Sequence, residues 1–183
     1  MATLSVTRDE TAKVDRQAPL SDAESAAQAA LVGAISFTAQ KMHLNHAEAT
    51  IALKQNDRDT YGYFKYGLAA QIAEHIAGLD GQVKNVFMYD DEATPEDEVF
   101  GERLPSRLIH LIVVAQRKTE ALNALIGALD RALVRGFAGL ANAPHLAHLL
   151  DVQVVDEKDV QNRTGYAALL SSVHHQPLPI LER

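Results

Sequence analysis

Residues 84–118, KNVFMYDDEATPEDEVFGERLPSRLIHLIVVAQRK, carry the reading that decides the fold. Val86-Phe87-Met88-Tyr89 is a short apolar run, and residues 108–115, LIHLIVVA, form a second one rich in branched side chains. Runs of this length and composition predict strands. Between them, DDEATPEDEVFGERLPSR holds two prolines and seven carboxylates. Proline withholds a backbone donor and like charges repel, so this stretch predicts a long acidic loop. The whole segment therefore reads as strand, loop, strand.

Toward the C-terminus the period returns to that of a helix. Leu122, Leu125, Ile126, Leu129, Leu133 and Phe137 mark the buried face of a helix over residues 119–140. LLDVQVV, residues 149–155, predicts a third strand; residues 166–173 predict a short helix, and residues 177–181 a short edge strand. Toward the N-terminus, Ser21 and Glu24 have the spacing of a capping box that opens an alanine-rich helix. That helix carries Ala30, Leu31, Ala34, Ile35, Thr38, Met42, Ala49 and Leu53, with Gly33 and the Asn45 region as points of bending or interruption. Asn56-Asp57-Arg58-Asp59 stops it, because short polar side chains compete for the backbone. Phe64, Leu68, Ile72, Ile76 and Leu79 then predict a second amphipathic helix ending at Asp80-Gly81. Residues 1–20 lack any period and read as a flexible tail.

The expected architecture is α+β: a helical hairpin over residues 21–81, packed with a small mixed sheet of three to four strands and two further helices over residues 82–183. The composition agrees with one folded unit. The chain has 183 residues, of which 47% are hydrophobic and 22% charged, so whole-chain disorder is excluded. Its net charge is −7 with no basic cluster, which removes the electrostatic attraction on which nucleic-acid binding depends. There is no cysteine, hence no disulfide, thiolate metal site or cysteine nucleophile. The N-terminal residues lack the apolar core of a secretory signal, and no apolar run approaches the ~18 residues that cross a bilayer. No membrane or nucleic-acid partner is expected, and a cytoplasmic location is.

The order of elements from Val86 onward resembles the minimal nucleotidyltransferases of the polymerase-beta-like superfamily. VFMYDDEA stands where that family has an apolar strand ending in a Gly-Ser helix start, LIHLIVV where it has its Asp-x-Asp strand, and DVQVVDEKDV with YAALLSSV and LPILE where its closing pattern lies. The resemblance covers about residues 83–183 and is one of hydropathy and order. It implies a sheet whose carboxylates hold two magnesium ions over nucleotide phosphates. Carried over by position, the metal-binding pair falls on Leu108 and His110, and the phosphate-binding Gly-Ser on Asp90-Asp91, which would repel a triphosphate. Only the third acidic position, Asp151, keeps a carboxylate. The active site implied by the resemblance is thus degenerate.

Other constellations compete for attention. His43 and His46 stand three apart, so on a helix both would reach one divalent ion, with Glu74 or His75 as a third ligand. A solvated helix face and a core histidine are the ordinary readings of the same residues. His145, His148, His174 and His175 lack a carboxylate at helical spacing, and Ser171-Ser172-Val173-His174 lacks a nucleophile elbow. Residues 46–76 resemble one tetratricopeptide-type unit, but a single copy cannot bury its own face. The hairpin must then cover the sheet, another chain, or both, and Tyr61, Tyr63, Phe64 and Tyr66 give it aromatic area. The expectation is a non-catalytic binding or regulatory module without a cofactor, working through a protein partner, a small ligand or self-association. The alternative is an active metal-dependent enzyme, either a divergent nucleotidyltransferase or a hydrolase using a divalent ion on His43, His46 and His75.

Overall fold

Strand β4 (Ile109–Ala115) is buried at every position, and the rest of the molecule is arranged to bury it. In the computed structural model, which describes residues 22–89, 107–141, 143, 145–174 and 176–183 together with the backbone of 98–99 and 102–103, the fold is α+β. Strand β1 (Val83–Tyr89) runs antiparallel to β4 on one side and to β6 (Leu178–Glu182) on the other, while β5 (Leu150–Asp156) lies parallel to β4. The mixed sheet has the order β5-β4-β1-β6. A parallel pair needs a long crossover, and helix α4 (Glu120–Ala141) supplies it between β4 and β5. Two further strands, β2 (Glu98–Val99) and β3 (Glu102–Arg103), pair antiparallel inside the stretch expected to be loop.

The expected hairpin is a set of three helices: α1 (Asp22–Met42), α2 (His46–Lys54) and α3 (Arg58–Leu79). The cause lies in three consecutive residues. His43 takes the left-handed conformation at φ 55°, letting Leu44 donate its N–H back to the Ala39 carbonyl at 2.9 Å, which ends α1. Asn45 then opens α2 with a reciprocal cap: its side chain accepts from the Glu48 N–H, and the Glu48 carboxylate accepts from the Asn45 N–H. The interruption expected near Asn45 is a complete stop and restart. Ser21 and residues 1–20, where a cap and a tail were expected, lie outside the described residues, as does most of the acidic stretch.

Helices α3 and α4 lie on the sheet, and α1 packs on both. Small residues set this spacing. A Cβ on Gly67 would come within 3.0 Å of Phe37 Cδ1, and one on Gly136 within 2.6 Å of Leu31 Cδ1, so α1 approaches both neighbours closely. One continuous apolar core joins Ala34, Leu53, Phe64, Ile72, Leu111, Leu133 and Phe137, so the N-terminal helices and the sheet share a single interior. Within it Tyr61, Phe64 and Phe137 make ring contacts at 5.5–6.3 Å. Tyr61 donates its hydroxyl hydrogen to the Arg107 carbonyl at 3.1 Å, and burial pushes its phenol far above the ordinary tyrosine value.

The opposite face of the sheet carries a smaller apolar patch of Ile112, Val114 and Val155, against which Ala167 packs. It is covered by α5 (Glu157–Asn162) and a 3-10 helix, Gly165–Ser171, in place of the single α-helix expected over residues 166–173. The extra helix α5 is only six residues long with none buried, so no apolar period announces it. Its start is nonetheless written in Asp156 and Asp159, which form a reciprocal cap.

Asp57 caps α3. Its carboxylate accepts from the Thr60 hydroxyl and from the Thr60 N–H, and these bonds, the hydroxyl's foremost, hold its carboxyl below the ordinary range. Asp57→Ala is expected to cost about 1 kcal/mol at neutral pH. Because the folded value lies below the unfolded one, this stability is complete above the ordinary carboxylate range and is lost as pH falls through the lowered value. Urea midpoints of the two proteins should therefore converge in acid; a gap that stayed constant would refute the assignment.

Candidate functional site

The one polar residue in the buried run of β4 is His110, which is 6% exposed. A residue so placed must have a partner, since burying an unpaired polar group costs about 1–3 kcal/mol. The parallel register places His110 opposite Asp151 on β5, and the antiparallel register places it opposite Tyr89 at the end of β1. His110 Nδ1 stands 2.9 Å from Asp151 Oδ2. A carboxylate can only accept, so Nδ1 carries the hydrogen of this bond.

The Asp151 carboxylate is engaged on both oxygens. Gln153 Nε2 donates to Oδ1 at 2.9 Å from two residues along the same strand, and the Tyr89 hydroxyl approaches Oδ2 at 3.5 Å. Aromatic rings wall the group: Tyr89 lies 5.2 Å from His110 and 5.8 Å from Tyr166, which the 3-10 helix brings over the sheet. The Asp151 side chain is 35% exposed and that of His110 only 7%, so solvent reaches the carboxylate edge of the pair while the imidazole lies within the fold. The result is a small polar cluster at one end of the sheet face opposite the helical layer.

Two of the five positions marked from the resemblance therefore meet: His110 and Asp151 are bonded. Leu108 is half-buried and sits one residue ahead of β4. Asp90 and Asp91 lie outside the described residues, although Tyr89 immediately before them belongs to the cluster. The histidines considered as metal ligands are placed separately from it. His43 is the left-handed stop of α1 and His46 the first residue of α2, both exposed, while His75 is on α3 with its Nε2 buried and without a protein partner. Among the described residues, no group of three or more His, Asp or Glu side chains could hold a metal ion. Nor is any helix there long and apolar enough to cross a membrane.

Sequence reasoning missed two residues of the site and one that supports its backbone. Tyr89 and Gln153 read in the sequence only as strand residues, although strand alternation puts Gln153 on the same face as Asp151. The third is Asp130. This aspartate sits on α4, is 7% exposed, and accepts the N–H groups of Leu149 and Leu150 through one oxygen at 2.9 Å each; its other oxygen lies 2.7 Å from His148 Nδ1. It fixes the backbone immediately before Asp151. The available signal was a carboxylate between Leu129 and Leu133 on an otherwise apolar helix face. Comparison with protein-family models, curated proteins and solved structures gives no match to this chain.

Proposed function

We propose that the chain is a non-catalytic binding or regulatory module on a nucleotidyltransferase-like plan, acting in the cytoplasm on a protein partner or small ligand, with self-association as one form of that binding. The observation that carries this reading is the state of Asp151. Its two oxygens are occupied by His110 and Gln153, with Tyr89 close by. Two-metal phosphoryl chemistry requires several carboxylates whose oxygens face the cations, and magnesium takes oxygen ligands in strict octahedral geometry. The neighbouring strand offers an imidazole nitrogen, with Leu108 preceding it. That donor set fits hydrogen bonding to a polar ligand better than it fits magnesium. Self-association draws support from β6, an edge strand with Leu178 46% exposed.

The protein is expected to release no pyrophosphate from nucleoside triphosphates with magnesium and an acceptor, beyond the level of a heat-inactivated control. Release that disappears in Asp151→Ala would overturn the proposal. A second reading, an enzyme, draws on the same bond, because an imidazole oriented through Nδ1 by a carboxylate is an arrangement from which general bases work.

A further inference from the structure

On the other side of β1 from the polar cluster, the last turns of α1 and the first turns of α3 enclose an open groove of about 860 Å³. Pockets of roughly 300–1,000 Å³ suit small organic ligands. Helical spacing accounts for its lining: Phe37 and Lys41 are one turn apart on α1, and Arg58, Gly62 and Tyr66 are successive turns of one α3 face. Two aromatic rings, Phe37 and Tyr66, stand 5.5 Å apart, and Tyr63 beside them is 42% exposed.

Charge adds a second, independent feature. Lys41 Nζ lies 5.4 Å from the Phe37 ring centre, and among the described residues neither Lys41 nor Arg58 is paired with a carboxylate. In a chain of net charge −7, these two cations bring positive charge to one concave, aromatic surface. With Asp59 also on the lining, the groove has a formal charge of +1, from two cations and one carboxylate. A flat ring would lie against Tyr63 and Tyr66, and its anionic substituent would meet Lys41 and Arg58.

We propose that this groove between α1 and α3 binds a small planar aromatic monoanion of the arylcarboxylate class. The proposal goes beyond the reading of the His110–Asp151 cluster and does not depend on it.

Calorimetric titration with three probes tests it: naphthalene-2-carboxylate, its neutral alcohol naphthalene-2-methanol, and the non-planar anion cyclohexanecarboxylate. The naphthoate should bind once per chain, at least tenfold tighter than either of the others, and more weakly as salt is raised. Lys41→Gln with Arg58→Gln, both on exposed side chains, should weaken the naphthoate at least tenfold and leave the neutral alcohol unchanged. Gly62→Leu provides an arm that does not depend on charge: a Cβ there meets nothing within 4 Å, so the fold tolerates the change while the larger side chain fills the groove and removes binding of all three probes. His110→Asn should bind the naphthoate like the wild type, which separates this site from the polar cluster. Equal affinity for the three probes, absence of binding at millimolar naphthoate, or wild-type binding by the double glutamine variant or by Gly62→Leu would overturn the proposal.

Discussion

Asp130→Ala should destabilise the protein by about 3–4 kcal/mol, because it removes a charged acceptor from two buried backbone donors at once, each such bond being worth roughly 1.5–3 kcal/mol. Leu149 is fully buried and Leu150 is 6% exposed, so water cannot replace the lost oxygen at either N–H without entering the core. The His148 contact contributes little to this figure, since the His148 side chain is 70% exposed. Asp130→Asn keeps an oxygen for the two N–H groups and should cost much less, about 1 kcal/mol. Urea unfolding gives the two values, and amide exchange locates them: Leu149 and Leu150 should lose protection first in the alanine variant. Equal stability of the alanine and asparagine variants would sink the assignment. Because Leu150 precedes Asp151, the same substitution should also loosen the polar cluster, linking a helix residue to a site it does not touch.

His110→Asp should have a comparable effect by the opposite route. It sets two carboxylates side by side where one is almost buried, exchanging a hydrogen bond for like-charge repulsion. Disruption of a buried pair costs about 3–5 kcal/mol; Asp151 is partly solvated, which places the expected loss near the lower end, about 3 kcal/mol. A divalent cation offers relief, and the melting temperature of the variant should rise with added magnesium or manganese while that of the wild type stays put. A variant as stable as the wild type at every pH would mean that the His110–Asp151 bond is not formed in solution.

Much of the fold was legible because its determinants are local or periodic. The apolar runs of β1, β4, β5 and β6, the face of α4 marked by Leu122, Leu129 and Phe137, and the stop before α3 all follow from spacing and turn chemistry. The failures are equally specific. The interruption near Asn45 was legible, but that it is a complete stop depended on a left-handed His43, a conformation that sequence does not announce for a residue with a Cβ. Helix α5 has only Val160 packed against the sheet's apolar patch, so it has no period to read, and the two short strands inside the acidic stretch have no apolar alternation.

The site divides along the same line. By itself the sequence determined that residues 108–115, with His110 among them, and residues 149–155, with Asp151 among them, form strands. Only the tertiary structure decided that these two residues are partners, because the register of a parallel pair is set by an intervening 22-residue helix and its packing on the sheet. The same holds for Tyr89 and Gln153 around Asp151, for Asp130 beneath it, and for Lys41 and Arg58 across the groove. Hydrogen bonds and charge pairing act over a few ångströms in space, and chain order carries no direct record of that distance.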